Sequence, residues 1–313
     1  MAAEQVLMIG PYPEWDMADL EARYEIHKLW DAGDKAAFLA ERAPSIRAIA
    51  TRGELGASAE LMATLPALEI VSCYGVGTDA IDLGHARAHG IRVTNTPDVL
   101  TEDVADIGIG LLLAAARKIP QADAYVRSGA WTRGNMGLVT RVHGKKLGIA
   151  GMGRVGAAVA RRAAAFDCDV SYFDVHRRAD LPYEYVDDLV ALARQSEFLI
   201  VTMAGGDSTR GIINAEVLAA LGGNGILVNI SRGSTVDEPA LLAALESGGI
   251  KAAGLDVFWN EPRIDPRFLA LDNVVLQPHH ASGTIETRKA MGQLVRDNLA
   301  AHFVGKPLLT PVV

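Results

Sequence analysis

At 313 residues, half of them hydrophobic, the chain exceeds the size at which one core usually stops growing, so two domains of ordinary size are expected. A formal charge of −8 argues against a nucleic-acid partner, which needs clustered Lys and Arg, and no apolar run reaches the roughly 18 to 20 residues of a membrane helix. Cys73 and Cys168 lie far apart without metal-ligand spacing and the opening MAAEQVLMIG does not read as a secretory signal, so neither a disulfide framework nor a zinc site is expected and the expected location is the cytoplasm.

Along the chain, short β-branched runs alternate with amphipathic stretches. VLMIG (6–10), IRAIAT (46–51), LEIVSCY (68–74) and IRVTNT (91–96) are predicted strands, with helices over 17–30, 34–42 and 57–65. A long apolar helix is predicted over 98–116, after a Thr/Asp-rich start. A second series follows with strands LGIAG (147–151), VSYFD (170–174), FLIVTM (198–203), GILVNI (225–230), AAGLDVF (252–258) and VVLQP (274–278). Near-continuous apolar strands spaced by helices signal parallel sheets covered on both faces, so the fold class is α/β with two doubly wound domains, the second a dinucleotide-binding one. The stretch 284–305 has helical periodicity, and pattern alone leaves open which domain it joins.

The strongest local motif is Gly151-Met152-Gly153-Arg154-Val155-Gly156, directly after a predicted strand and directly before an Ala-rich helix. The first glycine permits a tight turn, the second lets backbone approach a pyrophosphate, and the third lets helix and strand pack closely. Asp174 ends the next strand, where a carboxylate can accept both ribose hydroxyls of NAD and repel a 2′-phosphate. A solvated strand-end Asp is the plainer alternative. Arg177 and Arg178 follow closely and can reach a 2′-phosphate, so NAD is the expected cofactor with NADP still possible.

Hydride transfer from a nicotinamide to a carbonyl needs a proton donor for the developing alkoxide, and an acidic substrate needs a cation. Arg232 in NISRG, Glu261 in WNEP and His279 in QPHHAS all sit at carboxyl ends of predicted strands, where doubly wound sheets place their ligands. A lone histidine there is as often structural; the company of Arg232 and Glu261 changes the balance.

These motifs, with GMGRVG and the earlier TPDVLTEDVADIGIGLLL, resemble the D-isomer-specific 2-hydroxyacid dehydrogenases over nearly the whole chain. Within that family the resemblance is greatest to the glyoxylate/hydroxypyruvate and hydroxyphenylpyruvate reductases. It implies a Rossmann domain (99–283) inserted in a discontinuous, flavodoxin-like substrate-binding domain (1–98 and 284–313). It also implies that His279 is the general acid and base, Glu261 its partner, and Arg232 the group holding the substrate. The turn Tyr74-Gly75-Val76-Gly77 matches the family's carboxylate-binding turn, with Val76 and Gly77 as substrate-binding positions; a plain strand-to-helix turn is the alternative. Asp256 matches the position that bonds the nicotinamide carboxamide, and Ile230 and Ser231 line the cofactor cleft beside Arg232. The long apolar helix and the GAWTRGNMGL segment, with Trp131 and Met136, match a two-fold interface, so a homodimer is expected.

The chain departs from its relatives in two places. Asp174-Val175 stands where the nearest reductases carry a small polar residue and an Arg, so their NADPH preference is not carried over. His280 stands where an apolar residue is usual and is expected to line the cleft. Arg52, ending a strand on a loop that faces substrate in the family, is a candidate contact for the distal end of the substrate, or else simply faces solvent. The expected substrate is a small 2-keto acid, glyoxylate or hydroxypyruvate, with 2-ketogluconate and (hydroxy)phenylpyruvate as alternatives. A non-enzymatic, NAD-sensing corepressor is the reading from a different class.

Overall fold

The computed structural model describes residues 3–313. The chain forms two compact units, one comprising the chain up to Leu100 together with Gly283–Val313, the other Thr101–Ser282.

In the first unit β1 (Gln5–Met8), α1 (Glu14–Glu21), β2 (Glu25–Lys28), α2 (Lys35–Arg42), β3 (Ile46–Arg52), α3 (Ala59–Ala63), β4 (Ile70–Tyr74), α4 (Leu83–Ala88) and β5 (Arg92–Thr94) follow one another. The five strands pair in parallel in the order β2-β1-β3-β4-β5, the flavodoxin-like arrangement. Both faces are covered, and Leu7, Ile46, Ile49, Val71 and Val93 are fully buried.

The helix expected over 17–30 is corrected here: α1 ends at Glu21 and residues Glu25–Lys28 form the edge strand β2. The sequence EIHK has little strand character of its own. It is held by pairing to β1 and by the His27 ring, whose Nε2 lies 2.8 Å from Gln5 Oε1. Short, charged strands are what edges carry, and local pattern does not mark them.

The second unit contains α5 (Thr101–Arg117), α6 (Ile119–Arg127), β6 (Lys146–Ala150), α7 (Arg154–Ala164), β7 (Asp169–Phe173), β8 (Glu184–Tyr185), α8 (Leu189–Gln195), β9 (Phe198–Val201), α9 (Ala215–Leu221), β10 (Ile226–Asn229), α10 (Glu238–Ser247), β11 (Ala252–Leu255) and β12 (Val274–Leu276). All seven strands are parallel, in the order β12-β11-β10-β9-β6-β7-β8. The direction of winding reverses between β6 and β9, which is the topological switch point where such sheets bind ligand. Six strands were expected; the seventh, β8, is a two-residue edge pairing on β7.

The final helix, α11 (Ile285–Phe303), belongs to the first unit. Its Arg296 pairs with Asp16 of α1, which is fully buried, and the Asp16 carboxylate lies so close to Gly292 that no side chain fits there. Thr287 Oγ1 donates to Val99 O at 3.1 Å, and the tail beyond the helix runs beside β5, with Val312 N donating to Val93 O at 2.7 Å. These contacts decide the question that periodicity left open. Among the described residues no helix is long and apolar enough to cross a membrane.

Candidate active site

Arg232, Glu261 and His279 follow β10, β11 and β12, three neighbouring strands of one parallel sheet. Parallel strands end on a common edge, so side chains far apart in sequence are delivered together. His279 Nδ1 lies 2.6 Å from Glu261 Oε2, and Phe258 N–H donates to the other oxygen at 2.7 Å. Burial opposes ionisation of Glu261, but the hydrogen bond and charge of His279, the Phe258 N–H and the Arg232 guanidinium outweigh it and hold the carboxyl below its ordinary value. With Nδ1 committed to the carboxylate, Nε2 is the ring nitrogen left to exchange a proton.

His279 has φ 50°, in the left-handed region that non-glycine residues seldom occupy. Asp256 holds it there. The Asp256 carbonyl accepts the His279 N–H at 2.8 Å, while its carboxylate accepts the N–H groups of His280 at 2.7 Å and Ala281 at 3.1 Å. The residue expected to face the nicotinamide thus spends both carboxylate oxygens on the histidine turn, each with a lone pair to spare. Burial raises its carboxyl above the ordinary value, against the pull of the two N–H groups and of His279. His280 itself is exposed.

Arg232 is braced from beneath. Its carbonyl accepts from Asn229 Nδ2 at 3.0 Å and Thr235 Oγ1 at 2.7 Å, and its Nη1 donates to Ser231 O at 2.8 Å. The buried Ser231 hydroxyl is turned to Asn229 Oδ1 at 2.8 Å and Thr235 Oγ1 at 3.0 Å. Ile230 packs on α5 where Gly108 leaves room.

The glycine turn lies between β6 and α7. Gly151 has φ 102° and Gly156 is so close to the Gly151 carbonyl that no Cβ fits, whereas a Cβ on Gly153 would meet open space. Gly153 caps α7 without any side-chain bond to the first turn, so the N–H groups of Arg154, Val155 and Gly156 lie at a helix start suited to an anion. Asp174 Oδ2 accepts the Met152 N–H at 2.7 Å and Oδ1 accepts the His176 N–H at 3.1 Å, which fixes the acid against the glycine turn. These residues fit a dinucleotide. Arg178 donates to Met152 O at 3.1 Å and is held by Asp180 at 2.7 Å, while Arg177 is exposed. Among the described residues no group of three or more His, Cys, Asp or Glu could hold a metal ion.

In the first unit the turn after β4 has its carbonyls engaged by neighbours in the same unit: Gly75 O accepts Thr96 N–H at 2.9 Å, Val76 O accepts Asn95 Nδ2 at 2.8 Å, and Gly77 O accepts Cys73 Sγ at 3.6 Å. In a trans peptide the next N–H points the opposite way, so Val76 and Gly77 present their N–H groups away from these partners. Arg52, ending β3, pairs with Glu54 at 2.6 Å.

The family described as "D-isomer specific 2-hydroxyacid dehydrogenase, NAD binding domain" matches residues 109–281. The chain belongs to the D-isomer-specific 2-hydroxyacid dehydrogenases. A hydroxyphenylpyruvate reductase of Plectranthus scutellarioides is 50% identical over 313 residues, covering 100% of both chains. The solved 2-hydroxyacid dehydrogenase of Ketogulonicigenium vulgare is 55% identical with a TM-score of 0.94, over 100% of this chain and 99% of that one. An NADPH-dependent glyoxylate/hydroxypyruvate reductase of Sinorhizobium meliloti, solved with NADP and malonate, is 43% identical with a TM-score of 0.94, over 100% and 97%. The chain is accordingly an NAD(P)-dependent oxidoreductase of 2-hydroxy and 2-keto acids.

Sequence reasoning missed several residues that hold this candidate site: Asn229 and Thr235, bonded to the Arg232 turn, and Glu238 and Trp259, bonded to each other and to the segments of Glu261 and Arg232. The VDE after NISRG, an acid opening a helix, was the one available signal for Glu238.

Proposed function

We propose that this enzyme reduces glyoxylate or hydroxypyruvate with NADH, using Arg232, Glu261 and His279. The observation that carries the reading is the His279–Glu261 pair at 2.6 Å on the same sheet edge as Arg232. The Arg232 guanidinium binds the keto-acid carboxylate and carbonyl, and His279 Nε2–H gives its proton to the carbonyl oxygen as that oxygen gains charge. Ionised Glu261 stabilises the imidazolium before transfer and orients the ring during it. When bound, the nicotinamide nucleotide supplies the hydride. Gly151, Gly153 and Gly156, with the N–H groups of Arg154 and Val155, hold its phosphates; Asp174 takes the ribose hydroxyls. Ile230, Ser231 and Asp256 flank the nicotinamide. In the first unit, Val76 and Gly77 serve as N–H donors to a carboxylate, and Arg52, its charge met by Glu54, is a candidate polar contact.

The Asp174 carboxylate, fixed at 2.7 Å from Met152 N, favours NAD over NADP. A keto-acid panel of glyoxylate, hydroxypyruvate, phenylpyruvate and 2-ketogluconate, each assayed with NADH and NADPH, tests the reading, with Asp174→Ser expected to shift preference toward NADPH. Higher kcat/KM for phenylpyruvate or 2-ketogluconate would overturn the substrate assignment, and NADPH preference in the unmodified protein would overturn the role of Asp174.

A homodimer in the cytoplasm completes the proposal. Ile119, Val126, Trp131, Leu138 and Val139 are all exposed in one stretch of the second unit, Trp131 at 63%, an apolar density that suits a second copy. On helix α5, Val104, Ile109, Leu111 and Leu112 are buried, and Ile107, Leu113 and Ala114 are the apolar positions left partly exposed. Cys73 and Cys168 are buried thiols outside any disulfide, which suits a reducing compartment.

A further inference from the structure

Arg232 and Glu261 both stand on irregular backbone, and such backbone keeps a catalytic distance only when something beyond it is fixed. Trp259 joins the two segments. Its indole N–H donates to Gly233 O at 3.0 Å, one residue past Arg232. Its backbone N–H donates to Glu238 Oε1, and the preceding N–H, that of Phe258, goes to Glu261 Oε1 at 2.7 Å. Gly233 has no room for a Cβ against the Phe258 main chain, so the two segments touch backbone to backbone.

Glu238 is 6% exposed, at the start of α10. Burial raises its carboxyl above the ordinary value, the Trp259 N–H pulls it down, and Asp265 and Glu261 push it up again. Helix starts do not need this acid: the α10 cap is already made by Asp237, which accepts the Ala240 N–H at 3.1 Å. A buried carboxylate carries a desolvation cost, and here its hydrogen bond is directed to the loop that bears Glu261.

We propose that Glu238 and Trp259 form a positioning bracket that sets the separation of Arg232 from the Glu261–His279 pair. The bracket rests on the reading that these three residues carry the reduction. Its two arms act on different parts of the site. Glu238 restrains the Phe258–Glu261 loop and through it the imidazole, so its loss falls on the proton-transfer step. The indole arm restrains the turn of Arg232, so its loss falls on keto-acid binding.

The test compares Glu238→Ala, Glu238→Gln and Trp259→Phe with the unmodified enzyme and with His279→Gln, measuring kcat, keto-acid KM and NADH Kd by fluorescence titration. Misplacement of reacting groups is costly, so E238A is expected to lose about tenfold or more in kcat, whereas E238Q, which keeps an oxygen for the Trp259 N–H, stays within about threefold. W259F is expected to raise the keto-acid KM about fivefold with kcat within about twofold. NADH Kd stays unchanged throughout, because the glycine turn is untouched. Should E238A fail to fold, W259F and E238Q carry the test. If E238A and W259F match the unmodified enzyme while H279Q is inactive, the bracket is overturned and the site reading stands. A parallel rise in NADH Kd in all three variants also overturns it, as general loosening. An active H279Q overturns the site reading and the bracket together.

Discussion

Asp256 and Glu261 stand at the two ends of one short loop after β11, carry the same functional group, and are driven in opposite directions. Asp256 is 1% exposed and its oxygens face two backbone N–H groups, so burial prevails and its carboxyl titrates above the ordinary value. Glu261 is less deeply buried and faces an imidazole and a guanidinium, so opposite charge prevails and its carboxyl titrates below. What a carboxylate does in this site is decided by what its oxygens face as much as by depth: one scaffolds a strained turn, the other sets a negative charge against an imidazole.

The contrast can be broken by removing each charge in turn. Glu261→Gln leaves a neutral amide beside the imidazole, and since positioned acid–base groups contribute about 10²- to 10⁴-fold, kcat for reduction is expected to fall about 10²-fold. Asp256→Asn has a smaller expected effect. The amide keeps one oxygen for one N–H but turns an NH₂ toward the other, and an unsatisfied buried N–H costs about 1–3 kcal/mol. A fall of about tenfold in kcat/KM, accompanied by a lowered thermal midpoint, checks this. Equal kinetic losses in the two variants, with equal falls in thermal midpoint, would erase the distinction.

The smallest effect sharpens the comparison in sign. Glu261, with its folded value depressed, contributes stability that is present above its unfolded value of about 4.3 and is lost as pH falls through the folded one. Asp256, with its folded value raised, carries an ionisation cost that is present above the folded value and disappears as pH falls below its unfolded value of about 3.9. Thermal midpoints followed from neutral to acid pH should therefore fall less steeply in E261Q than in the parent, and more steeply in D256N. The same slope in all three would contradict the opposed shifts.

The glycine turn and the three strand-end residues were legible in the sequence because their marks are local. GMGRVG needs only its own strand and helix, and Arg232, Glu261 and His279 each follow an apolar run that names its own end. Edge strand β2 was not legible, since Glu25–Lys28 takes strand form only by pairing with Gln5–Met8. Glu238 and Trp259 were hidden for a related reason: neither has a motif of its own, and their meaning lies in a hydrogen bond between segments separated along the chain. Asp256 was legible as a candidate site residue, yet its hold on the His279 turn is a tertiary contact that no local motif announces.

By itself the sequence determined the parallel α/β class and the glycine turn, and marked the strand-end residues proposed to react, because periodicity, glycine spacing and strand ends are written within a few residues. Tertiary structure alone decided which helix covers which sheet, which way each carboxylate titrates and what braces the triad. Those properties depend on burial and on partners distant in the chain, and no local pattern encodes either.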